Sequence, residues 1–172
     1  METRYWLVIC PLLHFGGNPR EVWDRWLGQG CVAVGWPPFE YPDDGPTEPG
    51  WTRARNALRL MKPGHRVIPY LMNWRIGPAA TIREVRWSAN QWYPTVEPED
   101  GYELNPGRYE LGRRILVNWE IDGMPPPGYA ARIPEDSRRG RPDARASIEE
   151  LAHQRFDELV LVLRNPCNWV AL

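Results

Sequence analysis

Residues 65–87 read HRVIPYLMNWRIGPAATIREVRW, and this stretch decides the fold. His65 to Trp74 is rich in β-branched and aromatic residues and predicts a strand. Arg75-Ile76-Gly77-Pro78 carries the glycine and proline of a tight connection. Ala79 to Trp87 then predicts a returning strand, with Thr81 and Arg83 alternating against Ile82 and Val85. Two strands joined this closely run antiparallel, whereas a doubly wound parallel sheet needs a helical crossover between strands. The expectation is therefore an α+β domain whose strongly curved mixed β-sheet, or barrel, is flanked by helices.

The flanks extend this reading. Upstream, Tyr5 to Cys10 predicts a first strand that stops at Pro11. Asn18-Pro19 then offers an N-cap followed by proline at the first helical position. Val22, Trp23, Trp26 and Leu27 share one face of that helix, with Arg20, Glu21, Asp24 and Arg25 turned outward. Cys31 to Trp36 predicts a buried strand ending at Pro37-Pro38. Residues 39–50 form an acidic, proline-rich surface loop, and Trp51 to Met61 a second helix that exposes Arg53, Arg55 and Arg59. Downstream, residues 88–112 predict a long loop with one short strand. Arg113 to Ile121 predicts a further strand, with Ile115, Val117, Trp119 and Ile121 on one face. The charged stretch 135–145 predicts a linker. Ser147 and Glu150 have capping-box spacing, at the head of a final helix marked by Ile148, Leu151, Phe156, Leu159 and Leu163.

Length and composition favour one domain over residues 1–172, with 134–172 as a linker and C-terminal helix extension. No apolar run approaches a bilayer span and no leader is visible, so the expectation is a cytoplasmic protein without membrane contact. Cys10, Cys31 and Cys167 lie in apolar surroundings without a C-x-x-C pair, which predicts buried, reduced thiols and neither disulfide nor zinc. The formal net charge is −1, so any nucleic-acid binding must come from a local patch. Every basic residue but Lys62 is arginine, which suits bidentate phosphate contacts and stacking on rings and also fits a GC-rich or thermophilic genome.

No nucleophile elbow, phosphate loop, dinucleotide fingerprint or zinc-protease motif is present. His14, His65 and His153 are far apart in sequence, without carboxylates at metal-ligand spacing. No catalytic residue, metal or cofactor is predicted. The enzymatic alternative is a small nuclease or RNA-processing enzyme that holds a divalent metal on Asp43, Asp44 and the acids of Glu97 to Asp100. A further alternative is a protein-interaction module that uses exposed aromatics and proline-rich loops.

The ten tryptophans are the stronger signal, because seven of them fall into two groups. Trp6, Trp23 and Trp26 sit on predicted apolar faces and read as core. Trp36, Trp74, Trp87 and Trp92 fall at strand ends and turns, where a rim of rings could clamp a flat ligand. A base stacked on such a ring gains about 1–3 kcal/mol. Arg53, Arg55, Arg59, Arg75, Arg83 and Arg86 would supply phosphate contacts.

Several of these segments together resemble the EVE and YTH domains of the PUA-like fold, over about residues 4 to 133. They are Tyr5-Trp6-Leu7-Val8, Val32-Ala33-Val34-Gly35-Trp36-Pro37, Met61 to Ile68, Ile76-Gly77 with Ala80-Thr81-Ile82, and Ile115-Leu116-Val117-Asn118-Trp119. The resemblance implies a reader of DNA or RNA in which a methylated base, flipped out of its strand, enters an aromatic cage. It assigns Trp36 to the cage position after the second strand, and Trp87 or Trp92 to the one after the hairpin. Asn73 falls at the polar position near the hairpin tip. His14 to Asn18 lies where the family makes base-edge contacts, which points to His14 and Asn18, although the Lys-Ser-Asn and Ser-Glu-Pro patterns are absent. Such domains also serve as specificity modules of bacterial modification-dependent defence systems, which implies an effector protein partner.

Overall fold

A computed structural model describes residues 1–10, 19–34, 49–71, 73–86, 94–95, 101–105, 108–111, 113–140 and 148–172. The first half alternates strand and helix: β1 (Tyr5–Ile9), α1 (Pro19–Gln29), β2 (Cys31–Val34), α2 (Pro49–Leu60) and β3 (Arg66–Tyr70). Strands then dominate, with β4 (Arg75–Ile76), β5 (Ala80–Arg86), β6 (Pro94–Thr95), β7 (Gly101–Asn105), β8 (Arg108–Leu111), β9 (Arg113–Trp119) and β10 (Tyr129–Arg132). The chain closes with β11 (Ile148–Leu151), α3 (His153–Leu163) and β12 (Trp169–Ala171). No helix among the described residues is long and apolar enough to cross a membrane.

Among the described residues nine strands form the main sheet, along the path β12-β10-β4-β3-β5-β9-β2, with β1 attached to β3 and β11 to β1. The path does not close on itself among the described residues. Among the described residues only β1 and β3 pair in parallel, Tyr5 against Arg66 through Ile9 against Tyr70, so the sheet is mixed as expected. The α+β class stands.

Both faces of this sheet are covered, and the period-2 alternation of its strands shows why. Trp6 and Val8 of β1 and Val67 of β3 point to one side, where they join Trp23 and Trp26 of α1 and Trp51, Ala54 and Leu58 of α2. Leu7 and Ile9, with Ile68 and Tyr70, point to the other side, against Phe156, Leu159 and Leu163 of α3. The tryptophans read as core are core: Trp6, Trp23, Trp26 and also Trp51 are almost wholly buried. Gly77 admits α1 to this packing, since a Cβ there would stand 2.5 Å from the Trp23 ring and 2.9 Å from Pro69 Cγ.

The structure departs from the sequence expectations at several places. The connection expected at 75–78 begins two residues earlier: Asn73 (φ 52°) and Trp74 (φ 59°) make the turn, and Arg75–Ile76 is already β4. The segment 88–112, expected as a loop with one strand, contains three short strands in a second sheet ordered β6-β8-β7. Pro94 is tolerated there as the first residue of a strand. Ile121 does not continue the apolar face of β9; it lies beyond the strand and is 81% exposed. Where a helix start was expected, residues 148–151 instead form β11, antiparallel to β1 from Ile148 opposite Val8 to Leu151 opposite Tyr5. Residues 134–172, expected as a linker and appended helix, thus supply two strands of the main sheet, β11 and β12. Cys10 and Cys31 are buried as expected, but Cys167 is exposed, since the strand-flanking turn at 166–168 carries it outward.

Candidate nucleic-acid interface

Strand register decides which predicted site segments leave the sheet together. On β9, Arg113 stands opposite Val34, the last residue of β2, and Arg114 stands opposite Arg86, the last residue of β5. The segments that lead to Trp36 and to Trp87 therefore leave from the two strands flanking β9, at one end of the sheet. Two strand spacings put those exits about 10 Å apart. A base held between two rings needs roughly 7–8 Å between them, from carbon contacts of 3.5–4.0 Å on each face. Trp36, Trp87 and Trp92 themselves lie outside the described residues, as do His14 and Asn18.

This sheet end is basic. Arg86 is exposed and its Nε donates to Glu84 Oε1 at 2.9 Å. That hydrogen bond holds the Glu84 carboxyl below its ordinary range, with the Arg86 and Arg83 charges acting in the same direction. Arg114 donates from Nη1 to Gln29 Oε1 at 3.2 Å, tying β9 to the end of α1. On α2, Arg53 and Arg59 are exposed and Arg55 is half-buried, opposite the buried Trp51, Ala54 and Leu58.

Asn73 and Trp74 occupy the other end. Because β3 and β5 run in opposite directions, with Arg66 opposite Thr81, Tyr70 and Arg86 lie at opposite ends of the sheet. At the Tyr70 end Cys10 N donates to Tyr70 O at 2.9 Å, so the segment leading to His14 and Asn18 leaves beside the Asn73-Trp74 turn. The Trp74 N–H donates to the Tyr70 hydroxyl at 2.9 Å, and the two rings meet edge-on with centroids 6.4 Å apart. Trp74 O accepts from Ile133 N at 2.7 Å. The Arg138 guanidinium lies over the indole, 5.1 Å from its centroid. Trp74 is half-buried and Asn73 exposed. Trp74 thus shares no sheet end with the exits toward Trp36 and Trp87.

Two arginines absent from the sequence reading appear here. Arg132 of β10 is the cross-strand partner of Arg75, and Arg138 caps Trp74. The apolar residues Tyr129 to Ala131 and Ile133 were the available signal for β10, and they follow directly on the proline run.

Other candidate chemistry separates. His65 is buried within the first core and accepts at Nδ1 from Trp6 Nε1 at 3.2 Å and from Lys62 N at 3.3 Å. His153 is exposed, stacks on Tyr5 at 4.5 Å and faces Asp157 at 3.2 Å. Among the described residues no group of three or more His, Cys, Asp or Glu side chains is placed to hold a metal. Asp43, Asp44 and the acids of Glu97 to Asp100 lie outside the described residues.

No family model matches the chain, and no curated protein does. Among solved structures, it is similar to human THYN1 protein in complex with 5-methylcytosine-containing DNA, at 16% identity and a TM-score of 0.46, covering 95% of this chain and 100% of that one. It is also similar to the YTH domain of Zygosaccharomyces rouxii MRB1 protein in complex with N6-methyladenosine RNA, at 11% identity and a TM-score of 0.39, covering 95% of this chain and 86% of that one. Likeness at this level sets neither the ligand nor the site, which are read from this chain's own residues.

Proposed function

We propose that this protein is a non-catalytic, cytoplasmic nucleic-acid-binding module that reads a modified base, most simply a methylated one, flipped from DNA or RNA into an aromatic cage. Trp36 forms one wall and Trp87 or Trp92 the other, with Arg53, Arg55 and Arg86 at the phosphate rim. The observation that carries the reading is the register of β2, β9 and β5. It supports a pair of facing rings because the two tryptophan-bearing segments leave from strands flanking one arginine-bearing strand, within ring reach of each other. Excess arginine in a chain of net charge −1 supports local rather than global attraction to phosphate. In a bacterial modification-dependent defence system such a module would supply specificity to an effector protein.

Titration of tryptophan fluorescence with matched methylated and unmodified single-stranded oligonucleotides tests this. The methylated strand is expected to bind more tightly. Trp36→Ala should lower that affinity by about 5- to 150-fold, the equivalent of one stacking contact of about 1–3 kcal/mol. Equal affinity for both strands, unchanged by Trp36→Ala, would sink the reading.

A further inference from the structure

We propose a second nucleic-acid contact on this chain: an open depression at the end of β10, beside the β12 edge of the main sheet, that seats a backbone phosphate. The depression has a volume of about 330 Å³ and is lined by Arg132, Arg138, Glu135, Cys167 and Asn168 among others. That volume lies at the lower end of the range for ligand sites.

Three observations converge on an anion. Arg132 and Arg75 are direct cross-strand partners, which places two like charges with Cβ atoms about 4.5–5.5 Å apart, an arrangement that destabilises a sheet when nothing neutralises it. Among the described residues no carboxylate pairs with Arg75, Arg132 or Arg138; Glu135 lines the depression without reaching an ion-pair distance to any of them.

The third observation is the backbone. Asn73 and Trp74 are consecutive non-glycine residues in the left-handed region, and such strain collects at sites where the surroundings over-determine the chain. Here the surroundings are Tyr70, Ile133 and Arg138. Arg138 is fixed at two points, its face on the Trp74 indole and its Nε on Ile133 O at 3.1 Å. A guanidinium held this way has already lost much of its rotamer freedom, and it offers phosphate a planar fork at little further entropic cost. The choice of nucleic acid as the source of that phosphate rests on the proposed function; the anion site itself does not.

Cys167 supplies the readout. It is exposed in the same depression while Cys10 and Cys31 are buried, so iodoacetamide modifies the native full-length chain at Cys167 first. An unmodified single-stranded oligonucleotide at low salt is expected to slow that alkylation several-fold. The Arg132→Gln/Arg138→Gln double variant should lose the protection while keeping the near-ultraviolet circular dichroism of its buried tryptophans. Trp36→Ala should retain it. Absence of protection, or equal protection in the double variant, overturns the proposal. Protection by inorganic phosphate at matched phosphate concentration but not by the oligonucleotide overturns the nucleic-acid assignment. Protection in the absence of any preference for methylated strands would reject the cage and leave this contact standing; the reverse result would reject this contact alone.

Discussion

His65 shows how a single side chain sets a pH limit on the first core. Its Nδ1 accepts from the Trp6 indole and from the Lys62 backbone amide, so the ring is neutral with its proton on Nε2. Burial first, then the charges of Arg4 and Lys62, hold its pKa below the ordinary histidine value; the Glu150 carboxylate acts in the opposite direction but is outweighed. In the unfolded chain the same imidazole titrates near 6.5. The unfolded state therefore takes up a proton before the folded state does, and stability is full above that pH and falls as pH drops through the folded value. The thermal midpoint is expected to fall between about pH 7.5 and about pH 5.5, and to fall less in His65→Gln, which keeps an acceptor but does not titrate. Parallel melting curves for the two proteins across this window would show that His65 is not the titrating group. The sequence does not show this role for His65, because nothing local predicts that Trp6, fifty-nine positions away, donates to it.

At the scale of elements, the chain was legible where structure is local and illegible where pairing is distant. β1, α1, β2, α2 and β3 each carry their own signal, an apolar alternation or an N-cap with a helical stripe, and all appear in the expected order. Residues 148–163 misled because Ile148, Leu151, Phe156 and Leu159 keep helical spacing throughout. Tertiary context overrides that pattern: β1 has β3 on one side, and β11 covers its other edge, which would otherwise be an unpaired template for aggregation. The helix begins only at His153, after Ala152 with φ −61° and ψ 146°. From there α3 closes the second core. Phe156 is fully buried, against the Tyr5 ring at 4.9 Å and beneath the Arg66 guanidinium at 4.7 Å. Phe156→Ala should cost about 3–5 kcal/mol in denaturant unfolding. Leu161 lies on the opposite face and is 70% exposed, so Leu161→Ala should stay within about 0.5 kcal/mol. Equal costs for the two would mean that α3 does not present this face to the sheet.

For the whole molecule, the candidate contacts divide between two ends of one sheet. Arg86 and the exits toward Trp36 and Trp87 belong to the end where β2 and β5 finish, and Trp74, Arg75, Arg132 and Arg138 belong to the end where β3 finishes. The aromatic signal was legible in the sequence because tryptophans beside prolines and turns stand out from those on apolar stripes. The division was not, since it depends on strand direction and on β10, which pairs with β4 over more than fifty residues. Electrostatics can separate the two ends. With a net charge of −1 the chain as a whole gains little from polyanion attraction, so salt dependence reports individual arginine–phosphate contacts. For single strands each such contact adds about 0.7 to the slope of log affinity against log salt. Arg132→Gln/Arg138→Gln should therefore flatten the slope by roughly 1.4, two contacts' worth, while leaving the preference for a methylated strand intact. Trp36→Ala should do the opposite, removing the preference with the slope unchanged, because stacking releases no counterions. A double variant that keeps the full slope would place the phosphate contacts elsewhere on the molecule, and a Trp36→Ala variant that flattens it would mean that the cage and the phosphate contacts act as one site.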